Sequence, residues 1–346
     1  MTTSAAIVVK PSQLTTLLTK AFPAKEPVLI TGAPGIGKSE VGVGACSIVG
    51  ADHLIMHPVV SDPTDYKGMP WVENGRASFI PFGDLHTLIN AKKLTVCFLD
   101  DLGQASPAVQ AAAMQLVLAR QVNGHAISKH VVFVAATNRR TDRAGVSGIL
   151  EPLKSRFTIV ELVPDMDDWC AWAAANDVAA EVIAFLRFRP ALLSNFEPNA
   201  DMTQSPCPRA WAAVSRWLAI GLAPELQLPT VAGRVGRNAA GEFVAFLRTW
   251  AEMVSPDLVL TTPDTAPIPT EPAAMYALAT ALSVRVAPAS MGRYCRYLDR
   301  LVQEGRSEFA AVSLKTALAR DAKLANTPAY TKSMTGALGQ LFIGSR

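Results

Sequence analysis

The run from Pro27 to Ser39 limits the fold of this chain more than any other feature: a short apolar segment, PVLIT, passes without a break into GAPGIGKS, with a helical stretch behind it. Gly32, Ala33, Pro34, Gly35, Ile36, Gly37, Lys38 and Ser39 satisfy GxxxxGK[ST] in the strand, loop and helix context that gives the pattern its meaning. The glycines let the backbone curl until its N–H groups point inward, the following helix adds the positive end of its dipole, and Lys38 brings a full charge to the same place. Such a loop holds a nucleoside triphosphate by its phosphates, with Ser39 placed to ligate Mg²⁺.

The rest of the first half keeps to one plan. Apolar runs at Pro27–Thr31, His53–Pro58, Leu94–Leu99 and His130–Ala135, with a fifth at Thr158–Leu162, alternate with helical patterns. That rhythm belongs to a parallel sheet covered by helices on both faces, an α/β three-layer αβα core. Ser106 is set to cap a helix whose first turn holds Pro107, where a missing N–H costs nothing, and Val109–Leu118 continues it. Beyond residue 163 the strand signals stop and apolar residues recur at helical spacing, as in Trp169, Trp172 and Ala173, and later Tyr294, Leu298 and Leu301. We therefore expect a P-loop core over residues 1–163, an all-α lid over 164–260 and a C-terminal helical segment over 261–346. The Pro- and Thr-rich stretch Thr261–Pro272 reads as an exposed connector. A chain of 346 residues, half of them apolar, has the material for two or three such units.

Charge narrows the partner classes. With 32 basic and 29 acidic residues the net charge is +3, and there is no basic block of the kind that neutralises a phosphate backbone, so nucleic acid is not the expected partner. Cys46, Cys97, Cys170, Cys207 and Cys295 lie far apart, without CxxC or metal-ligand spacing, and read as free thiols in a reducing compartment. Met1–Lys10 lacks a basic leader, and no later stretch approaches the ~20 apolar residues of a membrane span. The expected location is the cytoplasm.

Three further positions bear on chemistry. The apolar run Leu94–Leu99 ends in Asp100 and Asp101. A P-loop enzyme needs a carboxylate there to hold Mg²⁺, which suits Asp100, and Asp101 is a candidate base or water-orienting group; alternatively the two acids simply end a strand. Asn138, at the end of the run beginning at His130, either contacts the γ-phosphate or the attacking water, or is a turn residue. Arg156, in EPLKSRF, either stabilises transition-state charge from a neighbouring subunit or is a solvated surface charge.

Taken together, GAPGIGKS, FLDD, AATN, LKSRF and the Pro208-Arg209-Ala210 of SPCPRA resemble, in order and spacing, the AAA+ ATPases and specifically their MoxR-type branch. The resemblance covers residues 10–220. It implies Walker A at Lys38 with Ser39, Walker B at Asp100 with Asp101, sensor 1 at Asn138, an arginine finger at Arg156 and sensor 2 at Arg209. It also implies ATP and Mg²⁺ as cofactors, a homo-oligomeric ring of six subunits, and a partner protein of the metal-binding von Willebrand A type as substrate. Two Asn-Gly pairs, in MPWVENGRASF and RQVNGHAISKH, predict type I′ hairpins. They fall where that branch carries its helix-2 insert and pre-sensor-1 hairpin, so Trp71, Asn74 and His125 either touch a substrate or serve hairpin packing and turn chemistry. One departure is clear: Asp101 stands where the branch usually has Glu, and is shorter by one methylene. Two other readings follow. One is a McrB-like nucleic-acid motor, favoured only by RYCRYLDR at Arg293–Arg300; the other is a nucleotide switch with little hydrolysis, kept open by Asp101.

Overall fold

The structure is a computed structural model and describes residues 7–73, 75–142, 145, 146, 148–197, 202–336 and 338–340. The chain divides into two compact units, Met1–Asp165 with Phe196–Ala200, and Met166–Asn195 with Asp201–Arg346.

The first unit is built on a six-stranded sheet. In chain order its strands are β1 (Val8–Val9), β2 (Val28–Thr31), β3 (Asp52–Met56), β6 (Thr95–Leu99), β9 (Val131–Thr137) and β10 (Thr158–Leu162); two hairpins, β4 (Met69–Glu73) with β5 (Arg76–Ile80) and β7 (Gln121–Val122) with β8 (His125–Ala126), stand apart from it. The order across the sheet is β1-β10-β2-β9-β6-β3, and every neighbouring pair is parallel. Strands buried on both faces need continuous apolar sequence. TVCFL and VVFVAAT supply it, and every residue of β6 and β9 is buried.

Alternation sends the two sides of each strand into different cores. Val96, Phe98, Val132 and Val134 join Leu14, Leu18 and Phe22 of the helix Pro11–Ala24 and Ala45 and Cys46 of the helix Lys38–Val49. Cys97, Leu99, Val131 and Phe133 join Leu85 and Leu88 of the helix Gly83–Asn90 and Ala112, Ala113 and Leu116 of the helix Pro107–Ala119. The result is a three-layer αβα P-loop core. Ser106 caps the helix Pro107–Ala119 through its side chain, which accepts from the Val109 N–H at 3.3 Å. The five strands read from the sequence are present to within two residues at each end; β1 was not anticipated, because two residues carry no periodicity.

Among its described residues the second unit contains helices and no strand. One cluster centres on Phe185, Trp211, Phe243 and Phe246, with ring centroids 5.1 to 5.6 Å apart. A second gathers Leu278, Leu282, Tyr294, Tyr297, Leu298 and Leu314, and takes in Val259 and Leu260 from the short helix Pro256–Thr261. The stretch expected to be an exposed connector, Thr261–Pro272, is instead built into this second cluster. Ala266 is 2% exposed, Tyr297 donates its hydroxyl to the Pro267 carbonyl, and Arg300 donates to the carbonyls of Pro263 and Ala266. Proline leaves carbonyls without helical partners, and distant side chains satisfy them here. Among the described residues no helix is long and apolar enough to cross a membrane.

Candidate functional site

In a parallel sheet the C-terminal ends of all strands share one edge. Register aligns Thr31 with Thr137 on one side and with Glu161 on the other, and Leu99 with Ala135. The residues that follow therefore meet along that edge: Gly32 after β2, Asp100 after β6 and Asn138 after β9. The strand carrying Asn138 lies directly between the P-loop strand and the Asp100 strand.

The loop passes so close to the end of β10 that a Cβ on Gly32 would lie 2.6 Å from the Leu162 carbonyl oxygen. Gly35 and Gly37 hold φ of 76° and 93°, which L side chains rarely adopt. The helix Lys38–Val49 starts at Gly37 with no side chain capping it, so its positive end faces the loop. Phe98 of β6 fills the place a Cβ on Gly42 would take, 2.6 Å away, which fixes this helix against the sheet.

Lys38 is 7% exposed. Its ammonium donates to the carbonyls of Gly32 and Ala33, both at 3.0 Å, and to Asn138 Oδ1 at 2.7 Å. Three oxygens satisfy the three donors of a group that is costly to bury alone. Asn138, also 7% exposed, turns its amide nitrogen toward Asp101 Oδ1 at 3.5 Å. A second contact runs alongside: Ser39 donates its hydroxyl to Asp100 Oδ2 at 2.8 Å, while Asp100 Oδ1 accepts the Asp101 N–H. The adjacent aspartates thus face different partners. Divergence comes from Asp101, whose φ of 55° and ψ of 33° place it in the left-handed region, where Asp is among the few non-glycine residues tolerated.

The turn after Asp101 is wedged in place. A Cβ on Gly103 would fall 2.2 Å from Thr137 Oγ1, one residue before Asn138. Beyond Asn138, Arg139 makes a bidentate pair with the buried Asp142 and reaches Glu161 Oε1 at 3.1 Å. These acids hold the Arg139 guanidinium more firmly protonated than usual, and the cross-tie spans β9 and β10 over the end of the P-loop strand. No sequence signal picked out Arg139, since its partners come from another turn and another strand.

Two candidates are not part of this hydrogen-bonded group. Arg156 is exposed on the turn between the short helix Glu151–Lys154 and β10, and Arg209 is exposed in the first turn of the helix Pro208–Ile220 of the second unit. Neither side chain has an ion-pair partner among the described residues. On the hairpins, Trp71 and Val72 are 55% and 68% exposed; Asn74 lies outside the described residues. Asn123 and Gly124 both hold positive φ at the β7–β8 turn, as a type I′ turn requires. The Asn123 amide donates to the Lys67 carbonyl. A cleft of about 660 Å³ between the hairpins is lined by Ser78, Phe79, Ile80, Pro81, Asn123 and His125.

Neither a protein-family model nor a curated protein matches the sequence. Solved structures of Thermotoga maritima RuvB, a Holliday junction branch migration motor, overlap 85% of this chain and 87% of their own at 18% identity, with a TM-score of 0.40. A single-substitution variant of that protein gives 0.41 at the same identity, and another gives 0.36 at 14% identity over 94% of this chain. Overlap this loose leaves the fold to stand on the chain's own topology.

Proposed function

We propose that this chain is a Mg²⁺-dependent ATP hydrolase of the AAA+ MoxR-like type. In this reading it assembles into a homo-oligomeric ring of six subunits, acts in the cytoplasm, and uses ATP binding and hydrolysis to remodel or activate a partner protein, with the von Willebrand A type as the partner class the resemblance suggests. The observation that carries the proposal is the relay from the buried Lys38–Asn138 pair to the half-buried Asp101, running beside the Ser39–Asp100 contact.

The loop backbone from Gly32 to Gly37 and the Lys38 ammonium bind the triphosphate. Ser39 and Asp100 hold Mg²⁺, which when bound offsets charge on the phosphate oxygens. The residues fit that ion: a hydroxyl and a carboxylate already in contact are hard oxygen donors of the kind Mg²⁺ takes. Asp101 orients the attacking water and accepts its proton on a carboxylate oxygen. Asn138 keeps Asp101 and Lys38 in register, so a phosphate oxygen that draws Lys38 away frees the Asn138 carbonyl oxygen at the same moment. Arg156 of one subunit stabilises charge in the site of the next, and Arg209 links the nucleotide to the helical unit. The exposed apolar hairpin at Met69–Ile80 favours a protein over a nucleic-acid partner. Of the arginines in Arg293–Arg300, Arg293 and Arg296 are exposed and Arg300 binds backbone carbonyls.

Mixing two inactive variants tests the ring. Arg156→Ala keeps a sound pocket and Asp101→Asn keeps a sound finger, so mixed rings contain interfaces where the two meet. Phosphate release should rise above that of either variant alone. A mixture that stays inactive, although native mass spectrometry detects mixed oligomers, removes the finger from Arg156.

A further inference from the structure

Gln110 lies in the first unit on the helix Pro107–Ala119 and has no role in the reading above. It is 1% exposed, and among the described residues its side chain bonds to backbone groups. Nε2 donates to the Ala105 carbonyl at 3.1 Å and to the Gly148 carbonyl at 2.8 Å; Oε1 accepts the Leu150 N–H at 3.0 Å. A single amide thus satisfies three backbone groups from two segments.

Both segments lead to the proposed chemistry. Ala105 closes the turn that starts at Asp101, through Gln104 N–H to the Asp101 carbonyl and Ala105 N–H to the Leu102 carbonyl. Leu150 immediately precedes the helix Glu151–Lys154, whose Lys154 N–H bonds back to the Leu150 carbonyl. Two residues later comes Arg156, exposed between the buried Leu153 and Phe157. Leu153 and Phe157 pack in the same cluster as the helix bearing Gln110, a contribution that is large but non-directional. On its C-terminal side Arg156 leads within two residues into β10, where the Thr158 N–H bonds to the Pro27 carbonyl; on its N-terminal side the Gln110 bonds to Gly148 and Leu150 are the directional tie that holds the start of the short helix to the helix Pro107–Ala119.

We propose that Gln110 is a positioning residue for Arg156, fixing the turn that one subunit offers to the next. The proposal rests on the trans-acting role of Arg156 in the reading above. It assigns Gln110 to the finger side of the interface rather than to the pocket of its own subunit, although Ala105 ties it to both.

Complementation separates the two. Gln110→Met keeps the volume and removes all three hydrogen bonds; Gln110→Glu keeps the acceptor for Leu150 and sets a carboxylate against two carbonyls, so either variant serves if the other fails to fold. Displacing a catalytic group by about 1 Å costs on the order of 10²-fold in rate, and a loss of that order is expected with ATP affinity unchanged. Mixed with Asp101→Asn, the Gln110 variant should regain phosphate release; mixed with Arg156→Ala, it should not. The opposite pattern, or wild-type turnover in both folded Gln110 variants, overturns the proposal. A purely structural weakening lowers activity in both mixtures alike and also overturns it. The Arg156→Ala and Asp101→Asn mixture runs in parallel: if it fails to regain activity, the finger reading falls and takes this proposal with it, whereas if it succeeds the Gln110 result is judged alone.

Discussion

Gly103→Ala probes how tightly the acid-bearing turn is locked to the strand that carries Asn138. The φ of Gly103 is not in the left-handed region, so alanine suits the backbone and would by itself add about 0.4 to 1 kcal/mol by restricting the unfolded chain. The methyl group, however, would sit 2.2 Å from Thr137 Oγ1, 3.2 Å from Thr137 Cβ and 3.3 Å from Val146 Cγ1. The first contact is more than 1 Å short of van der Waals separation. Thr137 is buried, and its hydroxyl already donates to the Asn138 carbonyl, so it has no free rotation by which to yield. Overpacking of this kind costs about 1 to 3 kcal/mol, which outweighs the entropic gain, and a net loss of about 1 to 2 kcal/mol is expected in urea unfolding with an unchanged m-value. Thr137→Ala removes the obstructing oxygen. In the double variant the clash is relieved, so the two effects should couple favourably by at least about 1 kcal/mol, and ATP turnover lost in Gly103→Ala should partly return. Additive effects in the double-mutant cycle would refute the wedge and with it the view that Asp101 and Asn138 are held at a fixed separation.

Lys38→Ala should weaken ATP binding by at least about tenfold, since a charged hydrogen bond contributes about 1.5 to 3 kcal/mol; unchanged affinity by calorimetry in the folded variant would contradict the phosphate-site assignment. Asp101→Asn should retain Mg·ATP binding and slow hydrolysis by roughly 10² to 10⁴, whereas Asp100→Asn should raise the Mg²⁺ concentration needed for activity. Equal steady-state phosphate release by Asp101→Asn and wild type would remove Asp101 from the chemistry. Thiol titration with an aromatic disulfide should label Cys207 alone of the five cysteines in the native protein and all five after denaturation. Cys46, Cys97, Cys170 and Cys295 are buried, and burial pushes the Cys46 thiol up to about 11; rapid labelling of two or more native thiols would contradict the packing.

Much of the αβα core was legible because its signals are local. A parallel strand buried on both faces is an apolar run, and the P-loop carries its own glycines, lysine and serine, so β2, β6 and β9 could be read directly. The edge elements and side-chain ties were not legible in the same way. Val8–Val9 becomes a strand only because β10 offers it an unpaired edge. Thr261–Pro272 has the composition of a solvated linker, yet Arg300 and Tyr297, thirty or more positions further along, bind its carbonyls. Arg139 and Gln110 look ordinary in sequence, one beside another arginine and the other within an alanine-rich helix. Their importance lies in partners that only the folded chain brings near.

The paired aspartates show how side-chain length and backbone conformation bear on one another. Asp100 ends the β6 side of the sheet with its N–H bonded to the Met56 carbonyl of β3, so its carboxylate follows the strand toward Ser39. Were Asp101 to continue in extended conformation, its side chain would alternate to the opposite face. The left-handed turn at Asp101 interrupts that alternation and brings the second carboxylate round to Asn138 of the neighbouring strand. Asp adopts this conformation more readily than longer side chains, because its short polar group can bond locally. Aspartate, one methylene shorter than glutamate, reaches about 1.5 Å less far, but the backbone turn and the Gly103 wedge set where that reach begins. Reach in the proposed site is therefore a property of the whole turn from Asp100 to Gln104, and the identity of residue 101 alone does not decide whether the water can be activated.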